Sequence, residues 1–266
     1  MTPGSKDAGG SVSDISRFLE TAIDAATRAG KMIVGRMHRQ VTVNALHAHD
    51  IKLDVDQQSQ QLITDIVLQA FPDHGIVGEE GIAGNAASDH QWIVDPIDGT
   101  VNYYYGIPHF GVSIALRRQD QVIVGVIYDP MVGELWSAEQ NQVPRLNGRA
   151  IAVSGRRRLS EAVISMGFAK RAAALQHSIR RYELVAPAVR KIRMLGSAAL
   201  EMAYVATGRL DAYIEEQVSV WDIAAGRLIV ERAGGKVVLR QHADRPDRFS
   251  IVCSNGLVPI EELLAS

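Results

Sequence analysis

Residues 92–102 read Trp92-Ile-Val-Asp-Pro-Ile-Asp-Gly-Thr-Val-Asn102 and carry the most informative pattern in the chain. A short apolar run ends at Asp95, and Pro96 fixes its own φ near about −65°, which favours a turn. Such a turn can bring the carboxylates of Asp95 and Asp98 onto one ion. The carbonyl of Ile97 is then a plausible third oxygen ligand.

The two residues after these carboxylates suit an anion. Gly99 has no Cβ, so a phosphate can approach its N–H closely, and a short helix that starts at Gly99-Thr100 would offer further amides. The hydroxyl of Thr100 can orient a water molecule. Asp, Pro and Gly are also common turn formers, so residues 95–100 taken alone leave a capped surface turn as the alternative.

Acidic residues follow apolar segments at two further places. Glu79 comes after the pair Ile76-Val77, and Asp222 comes after Trp221. Carboxylates in such positions lose hydration and repel one another, so they need cations or protonation. The single cysteine, Cys253, excludes a multi-cysteine zinc site, and oxygen ligands suit Mg²⁺ or Mn²⁺. Each segment alone also fits a turn or a helix cap, but together they favour a metal site.

Apolar spacing predicts both helices and strands along the rest of the chain. Positions spaced by three and four predict helices, and runs of β-branched residues predict strands. Their order predicts a layered α/β or α+β fold. Helices are predicted over 15–37 (with Ser13 or Asp14 as cap), 56–70, part of 172–189, 197–207 and 221–233; strands are predicted over 92–94, 110–116, 122–128, 163–165, 210–214, 236–239 and 251–253; and 38–49 is interpreted as a polar connection.

Composition limits the possible partners. The chain has 266 residues, 47% of them hydrophobic, enough for one large domain or two fused lobes. A net charge of −2 gives no electrostatic reason to expect nucleic acid or an anionic membrane as partner. No apolar run approaches the roughly 20 residues that span a bilayer. Residues 1–12 are rich in Gly and Ser and lack a signal-peptide core, so we expect a disordered tail and a cytoplasmic protein.

Three motifs together resemble the inositol monophosphatase family, within the Mg²⁺-dependent, lithium-sensitive phosphatase superfamily. They are Gly78-Glu79-Glu80, the stretch 92–102 and Trp221-Asp-Ile-Ala-Ala-Gly226, and the similarity covers roughly residues 14–255. The resemblance implies a sugar-phosphatase-type sandwich of alternating helix and sheet layers, as one phosphatase domain over 13–266. A metal and phosphate lobe would cover roughly 13–150 and a substrate lobe 151–266. The resemblance also implies a homodimer, about two or three Mg²⁺ ions with Mn²⁺ as a possible substitute, and inhibition by Li⁺.

The resemblance also assigns roles to individual residues. The implied metal ligands are the carboxylates of Glu79, Asp95, Asp98 and Asp222 and the carbonyl of Ile97. The implied catalytic residues are Thr100, Glu79, Asp56 and Asp95, of which Thr100 with Glu79 would activate the attacking water. The implied substrate-binding residues are Asp98, Gly99, Thr100, Gly196, Ser197, Ala198 and Glu215.

The chain departs from the family pattern just before Asp56. Relatives usually have a threonine at the position of Leu53, and Lys52 and Asp54 are also atypical there. Because this region surrounds a third metal in relatives, weaker metal affinity or another substrate stays open. Asn102 agrees with the inositol and fructose-bisphosphatase branches and argues against the nucleotide-phosphate branch.

These features predict a metal-dependent phosphomonoesterase that acts by attack of a metal-activated water on a small polyol or sugar phosphate. Inositol monophosphate is the favoured substrate. Histidinol phosphate, fructose 1,6-bisphosphate and a nucleotide 3′-phosphate are the alternatives, and an inactive binding protein on the same scaffold is the alternative class. Gly155-Arg-Arg-Arg158 is interpreted as a solvated loop rather than a phosphate clamp.

Overall fold

A computed structural model of the chain describes residues 12–37, 43–47, 50–168, 172–243, 245 and 247–265. Within them, helices and strands are interspersed as the apolar spacing predicts. The helices are α1 (Val12–Arg36), α2 (Asp54–Ala70), α3 (Thr100–Tyr104), α4 (Ala172–Val185), α5 (Ala198–Ala206), α6 (Val220–Arg232) and α7 (Ile260–Ala265), with a 3₁₀ turn at Leu159–Glu161. The strands are β1 (Val43–His47), β2 (Asp50–Leu53), β3 (Gly75–Gly78), β4 (Gly81–Gly84), β5 (His90–Asp98), β6 (Gly111–Arg118), β7 (Gln121–Asp129), β8 (Glu134–Glu139), β9 (Arg145–Leu146), β10 (Arg149–Ala150), β11 (Val163–Met166), β12 (Lys191–Arg193), β13 (Ala212–Ser219), β14 (Lys236–Gln241) and β15 (Arg248–Ser254).

The elements stack in five layers of alternating helix and sheet. Helices α1 and α2 cover one face of an eight-stranded sheet of order β10-β9-β8-β7-β6-β5-β3-β4. Helices α5 and α6 lie between that sheet and a five-stranded sheet of order β12-β11-β13-β15-β14. Helices α4 and α7 cover the outer face of the second sheet. The predicted layered α/β sandwich is therefore confirmed.

Apolar packing holds the layers together, because a sheet face and a helix stripe each need a partner to cover them. Ile33 of α1 and Ile63 of α2 pack with Trp92 of β5 outside the first sheet. Buried side chains of α5 and α6 fill the space between the sheets. Ile260 of α7 packs with Ile164 of β11 on the far side. The polar residues of the three sequence motifs lie instead at the ends of strands and helices, outside this apolar packing.

Strand β5 runs farther than the sequence predicts. The expected strand stops before Asp95 with a turn at Pro96, whereas β5 continues to Asp98. Asp95 pairs with Ser113 and Asp98 with Gly111 of β6, and the register shifts between them. Proline has no N–H for the ladder, so an irregularity in the pairing accommodates it inside the sheet. A bulge rather than a turn therefore spaces the two carboxylates.

The polar connection predicted for residues 38–49 contains a strand. Strands β1 and β2 form an antiparallel pair outside both large sheets. The sequence did carry a signal that the prediction gave too little weight, since Val41, Val43 and Ala45 alternate with Thr42 and Asn44 among the polar residues of this stretch.

The atypical residues before Asp56 take part in the fold. Helix α2 begins at Asp54, two residues before its predicted start. Leu53 is fully buried in the core between α1 and α2, and Asp54 pairs with Arg36 at 3.4 Å. The side chain of Lys52 lies outside the described part of the structure.

The predicted tail lies outside the described residues except for Val12, with which α1 begins. The division into two lobes stays a prediction, although residues 75–150 supply the first large sheet and residues 163–254 the second. In the part of the chain that the structure describes, no helix combines the length and apolar character needed to cross a membrane.

Asp211 is a buried carboxylate that fixes the segment between β10 and β11, which connects the first sheet with the second. It accepts hydrogen bonds from the Ser154 hydroxyl at 2.5 Å, the Val163 N–H at 2.8 Å and the Arg156 guanidinium at 2.9 Å. Arg156 is thus held by an acid of the chain itself, which fits the interpretation of residues 155–158 as a loop.

We expect Asp211→Ala to lower the free energy of unfolding by about 3 kcal/mol, because three partly buried donors lose a fully buried acceptor. Urea denaturation measures the change. Asp24→Ala, which removes an exposed pair with Arg28, is the control and should cost less than about 0.5 kcal/mol. Equal losses in the two variants would contradict a structural role for Asp211.

Two stacked histidines lie in an aromatic cluster on the α1 side of the first sheet. The ring centroids of His74 and His90 are 4.7 Å apart with planes 8° from parallel. The indole N–H of Trp92 donates to His74 Nδ1 at 3.0 Å, which requires that nitrogen to be unprotonated. Burial, with a contribution from His90, lowers the pKa of His74 to about 4, and burial also lowers the pKa of His90.

We expect the free energy of unfolding to fall as the pH drops from 6.5 toward 4. In this window the unfolded His74 binds a proton near its ordinary pKa of 6.5, whereas the folded ring resists protonation until about pH 4. His74→Gln keeps an acceptor for Trp92 and should remove part of this acid sensitivity. Urea denaturation at several pH values measures it, and identical slopes in both proteins would refute the assignment.

Candidate functional site

Asp95 and Asp98 lie at the end of β5, next to the start of α5. They are only 2% and 7% exposed. Asp95 Oδ1 accepts a hydrogen bond from the Ile97 N–H at 3.0 Å. Asp98 Oδ2 accepts one from the Ser197 hydroxyl and one from the Ala199 N–H at 2.8 Å. The bulge in β5 and the first amides of α5 therefore fix both carboxylates.

Asp95 and four other carboxylates form one acidic group. Burial raises the pKa of Asp95 well above its usual range, and the charges of Glu79, Asp98, Asp222 and Asp56 raise it further. Elements far apart in the sequence supply these groups, namely β5, α2, α6 and the connection after β3. Like charges out of water disfavour ionisation. The fold thus concentrates acidic groups in one place, as the sequence motifs predict.

Asp56 and Asp222 each bond to the backbone that precedes their own helix. Asp56 Oδ2 accepts from the Leu53 N–H at 2.8 Å, and Asp222 Oδ2 accepts from the Ser219 N–H at 2.7 Å. Burial first, and then the charge of Asp98, raises the pKa of Asp222 to about 8. Both acids therefore lie in the first turn of a helix, where free amides favour negative charge.

The turn after β5 requires a glycine. Gly99 has φ +93°, in the left-handed region that side chains disfavour. A Cβ there would lie 3.1 Å from the carbonyl oxygen of Gly196 and 3.2 Å from that of His109. Thr100 begins α3, and its hydroxyl donates to the Ile97 carbonyl at 2.9 Å. The Thr100 hydroxyl and the Ile97 carbonyl are therefore adjacent, which their predicted roles beside one metal site require.

A single amide side chain joins this turn to the one before α5. Asn102 Nδ2 donates to the carbonyl oxygens of His109 and Leu195, each at 2.8 Å. On the other side of the same turn, Ser197 donates to Asp98 and caps α5. Residues 195–199 therefore connect the end of β5 with the central helix layer.

Glu215 lies on β13 of the second sheet and faces the acidic group from that side. Its Oε2 accepts the Tyr213 hydroxyl at 2.5 Å. Burial raises the pKa of Glu215 to about 7, with a further contribution from Asp98. A Cβ on Gly167 would lie 2.0 Å from this carboxylate, so only glycine leaves room for it.

The described residues contain no group of three Asp, Glu, His or Cys side chains already arranged to hold a metal ion. Asp95, Asp98 and Asp222 each bond to a backbone amide. Their chemistry nevertheless fits a hard divalent cation, because they are buried oxygen donors whose pKa values burial and mutual repulsion raise. Binding would require the carboxylates to approach one another more closely, with the cation offsetting their repulsion.

The structure brings the predicted site residues into one region, while their chemical roles stay predictions. The carboxylates form its centre, the two glycine-containing turns border it, and Glu215 lies on the side of the second sheet. The residues gathered there are Asp56, Glu79, Asp95, Ile97, Asp98, Gly99, Thr100, Gly196, Ser197, Ala198, Glu215 and Asp222.

Two polar residues of this region were missed in the sequence. Glu201 is the only charged residue in α5, whose sequence is Ala-Ala-Leu-Glu-Met-Ala-Tyr-Val-Ala, and it is 1% exposed. An acid within an otherwise apolar helix is a signal that sequence inspection can detect. Tyr213 carries no such signal, because tyrosine is an ordinary strand former.

Comparison with known proteins points to one family. The model of the inositol monophosphatase family matches residues 14–265. The Nus factor SuhB of Pasteurella multocida is 38% identical over 226 residues, which are 83% of this chain and 84% of that protein. The inositol-1-monophosphatase of Rhizobium meliloti is 37% identical over 248 residues, 90% of this chain and 92% of that protein. The solved structure of a Thermotoga maritima IMPase has a TM-score of 0.83 at 33% identity and covers 94% of this chain and 96% of its own.

We expect Asp95→Asn to stabilise the metal-free protein and to weaken divalent-ion binding. The variant cannot ionise, yet its side-chain oxygen can still accept from the Ile97 N–H. Thermal unfolding in EDTA should show a higher midpoint, and calorimetry should show Mn²⁺ affinity lower by at least about tenfold.

The control is Asp129→Asn, which alters a buried carboxylate that bonds to Met131 N–H at 2.9 Å, outside this acidic group. It should leave Mn²⁺ affinity unchanged. Unchanged affinity in Asp95→Asn as well would exclude a metal site at these carboxylates.

Proposed function

Because this chain belongs to the inositol monophosphatase family, a family of metal-dependent phosphatases, we propose that it hydrolyses monophosphate esters of small polyols or sugars. Inositol monophosphate is the favoured substrate. The observation that carries this proposal is the meeting of five carboxylates beside the turn at Gly99 and Thr100. A phosphate ester needs both neutralising charge and amide donors, and this corner of the fold offers ligands for the first and backbone N–H groups for the second.

The proposed metal ligands are the oxygens that the fold gathers. Glu79, Asp95, Asp98 and Asp222 would contribute carboxylates, and the Ile97 carbonyl a fifth oxygen. Two or three Mg²⁺ ions, or Mn²⁺, would supply charge to neutralise the phosphate and acidify water. A replaceable ion of this kind also underlies the expected inhibition by Li⁺.

Thr100 is proposed to orient the attacking water. The Thr100 hydroxyl donates its proton to the Ile97 carbonyl, so the same oxygen can accept a hydrogen bond from a water molecule. Glu79 and Asp56, whose charges act on Asp95, are proposed to assist Thr100 by holding the proton that the water loses.

The turn at Gly99 is proposed to bind the phosphate of the substrate, and the turn before α5 is proposed to contact its alcohol. The amides of Gly99 and Thr100 would bind phosphate, because the glycine permits a close approach. Ser197, Ala198 and Glu215 would face the alcohol, since they border the acidic group from the side of α5 and the second sheet. Asn102 holds the turn before α5 in place. Its presence in the motif, rather than this contact, is what agrees with the inositol and fructose-bisphosphatase branches.

A second candidate function comes from the names of the relatives. Several of them, including the protein of Pasteurella multocida, are named Nus factor SuhB rather than phosphatase. A binding role on the same scaffold, alone or beside hydrolysis, is therefore the alternative. Cells that lack this protein and are restored equally by wild type and by Asp95→Asn would favour the binding role. The homodimer and the cytoplasmic location stay predictions.

Hydrolysis of a substrate panel tests the main proposal. Inositol 1-phosphate, fructose 1,6-bisphosphate, histidinol phosphate and a nucleotide 3′-phosphate are compared with Mg²⁺ and with EDTA, and released phosphate is measured. We expect Mg²⁺-dependent turnover with inositol 1-phosphate preferred, and a loss of at least about a thousandfold in Asp95→Asn. Asp129→Asn should stay active. Turnover that persists in EDTA or in Asp95→Asn would overturn the proposed site.

A further inference from the structure

Glu201 is a buried acid that the proposed hydrolysis does not use. It lies in the first turn of α5 and is 1% exposed. A carboxylate in such a place needs donors to offset its lost hydration. One oxygen, Oε1, accepts from the backbone N–H groups of Leu195 and Gly196, each at 3.0 Å. The side chain therefore folds back over the turn that precedes its own helix.

The turn that Glu201 holds is the one that borders the proposed site. Glu201 fixes its two amides, and Asn102 holds the Leu195 carbonyl from the other side at 2.8 Å. The carbonyl of Gly196 then faces Gly99, and the following residue, Ser197, reaches Asp98. Because α5 begins here, the position of the turn also sets the amides that bond to Asp98.

Glu201 also connects this turn with the acid on the second sheet. Ser165 of β11, whose hydroxyl donates to the Arg193 carbonyl at 3.3 Å, also acts on the Glu201 carboxyl group. Ser165 pairs in register with Tyr213 of β13, whose hydroxyl donates to Glu215 Oε2 at 2.5 Å, and the charge of Glu215 acts on Glu201. Glu201 therefore holds the turn before α5 and lies within electrostatic range of Glu215 on the second sheet.

We propose that Glu201 is a positioning residue for the alcohol-binding half of the site. It sets residues 195–198 relative to Glu215 and thereby favours esters of polyols over esters whose alcohol has no hydroxyl groups. This inference rests on the proposed phosphatase function. It concerns substrate choice, whereas the phosphate-binding and metal-binding residues act on every ester alike.

The physical consequence differs between two substitutions. Glu201→Ala leaves the N–H groups of Leu195 and Gly196 without their acceptor, so the turn should relax toward another partner. Glu201→Gln keeps an oxygen at the position of Oε1 and can still accept from both amides. The glutamine variant should therefore retain most of the substrate preference, and the alanine variant should lose it.

Two esters separate the positioning role from general damage. Inositol 1-phosphate presents ring hydroxyls, and phenyl phosphate presents none. We expect Glu201→Ala to lower the ratio of kcat/KM for inositol 1-phosphate over phenyl phosphate by at least about tenfold, mainly through KM, because both hydrogen bonds that hold the turn are lost. Glu201→Gln should change the ratio by less than about threefold. Val205→Ala, a buried substitution one turn farther along α5, should leave the ratio unchanged.

Hydrogen exchange supplies a readout that needs no activity. The amides of Leu195 and Gly196 should exchange at least about tenfold faster in Glu201→Ala than in wild type, Glu201→Gln or Val205→Ala. An unchanged ester ratio in Glu201→Ala, with wild type active on both esters, would overturn this inference alone. Wild-type protein that hydrolyses neither ester would overturn the proposed function and the role in substrate choice together. Unchanged exchange would refute the hold on the turn.

Discussion

Mutual repulsion among buried acids is the constraint on which the rest of this structure depends. Asp95 is surrounded by four other carboxylates, and burial makes each unit of charge more costly than it is in water. Without compensation this group would lower the stability of the fold. Groups held at such a cost are typical of functional sites, where the local penalty serves binding or chemistry.

The layered architecture offsets part of that repulsion with helix starts. Asp56 lies in the first turn of α2 and Asp222 in the first turn of α6, while Asp98 bonds to the first amides of α5. Free N–H groups and the positive end of the helix dipole stabilise negative charge at each of these places. Three helices, α2 of the outer layer and α5 and α6 of the central layer, therefore begin at the acidic group, and the carboxylates bond to amides at their first turns. A divalent cation would add the compensation that the amides alone do not supply.

The two sheets contribute different things to the site. The first sheet ends in the bulge of β5, which supplies Asp95 and Asp98 and leads into the Gly99 turn. The second supplies Glu215, which fits against Gly167. The turn before α5 is the part that both share, because Asn102 reaches it from one side and Glu201 from the other. A change in that short segment would shift the two halves of the site relative to each other, which is why substrate choice is expected to depend on residues that need not touch the substrate.

The sequence by itself determined the layered fold class and most of the acidic site. Helix spacing and strand runs are local patterns, and Asp95, Asp98 and Asp222 stand out because each follows an apolar run that must be buried. The tertiary structure alone decided that Pro96 sits in a bulge rather than a turn, since the pairing of β5 with β6 outweighs the local preference for a turn. The tertiary structure also decided that Leu53 is buried in the core and that Glu201 accepts hydrogen bonds from the Leu195 and Gly196 N–H groups. Such contacts depend on where distant or reversing segments meet, and that geometry is set by packing between layers rather than by neighbouring residues.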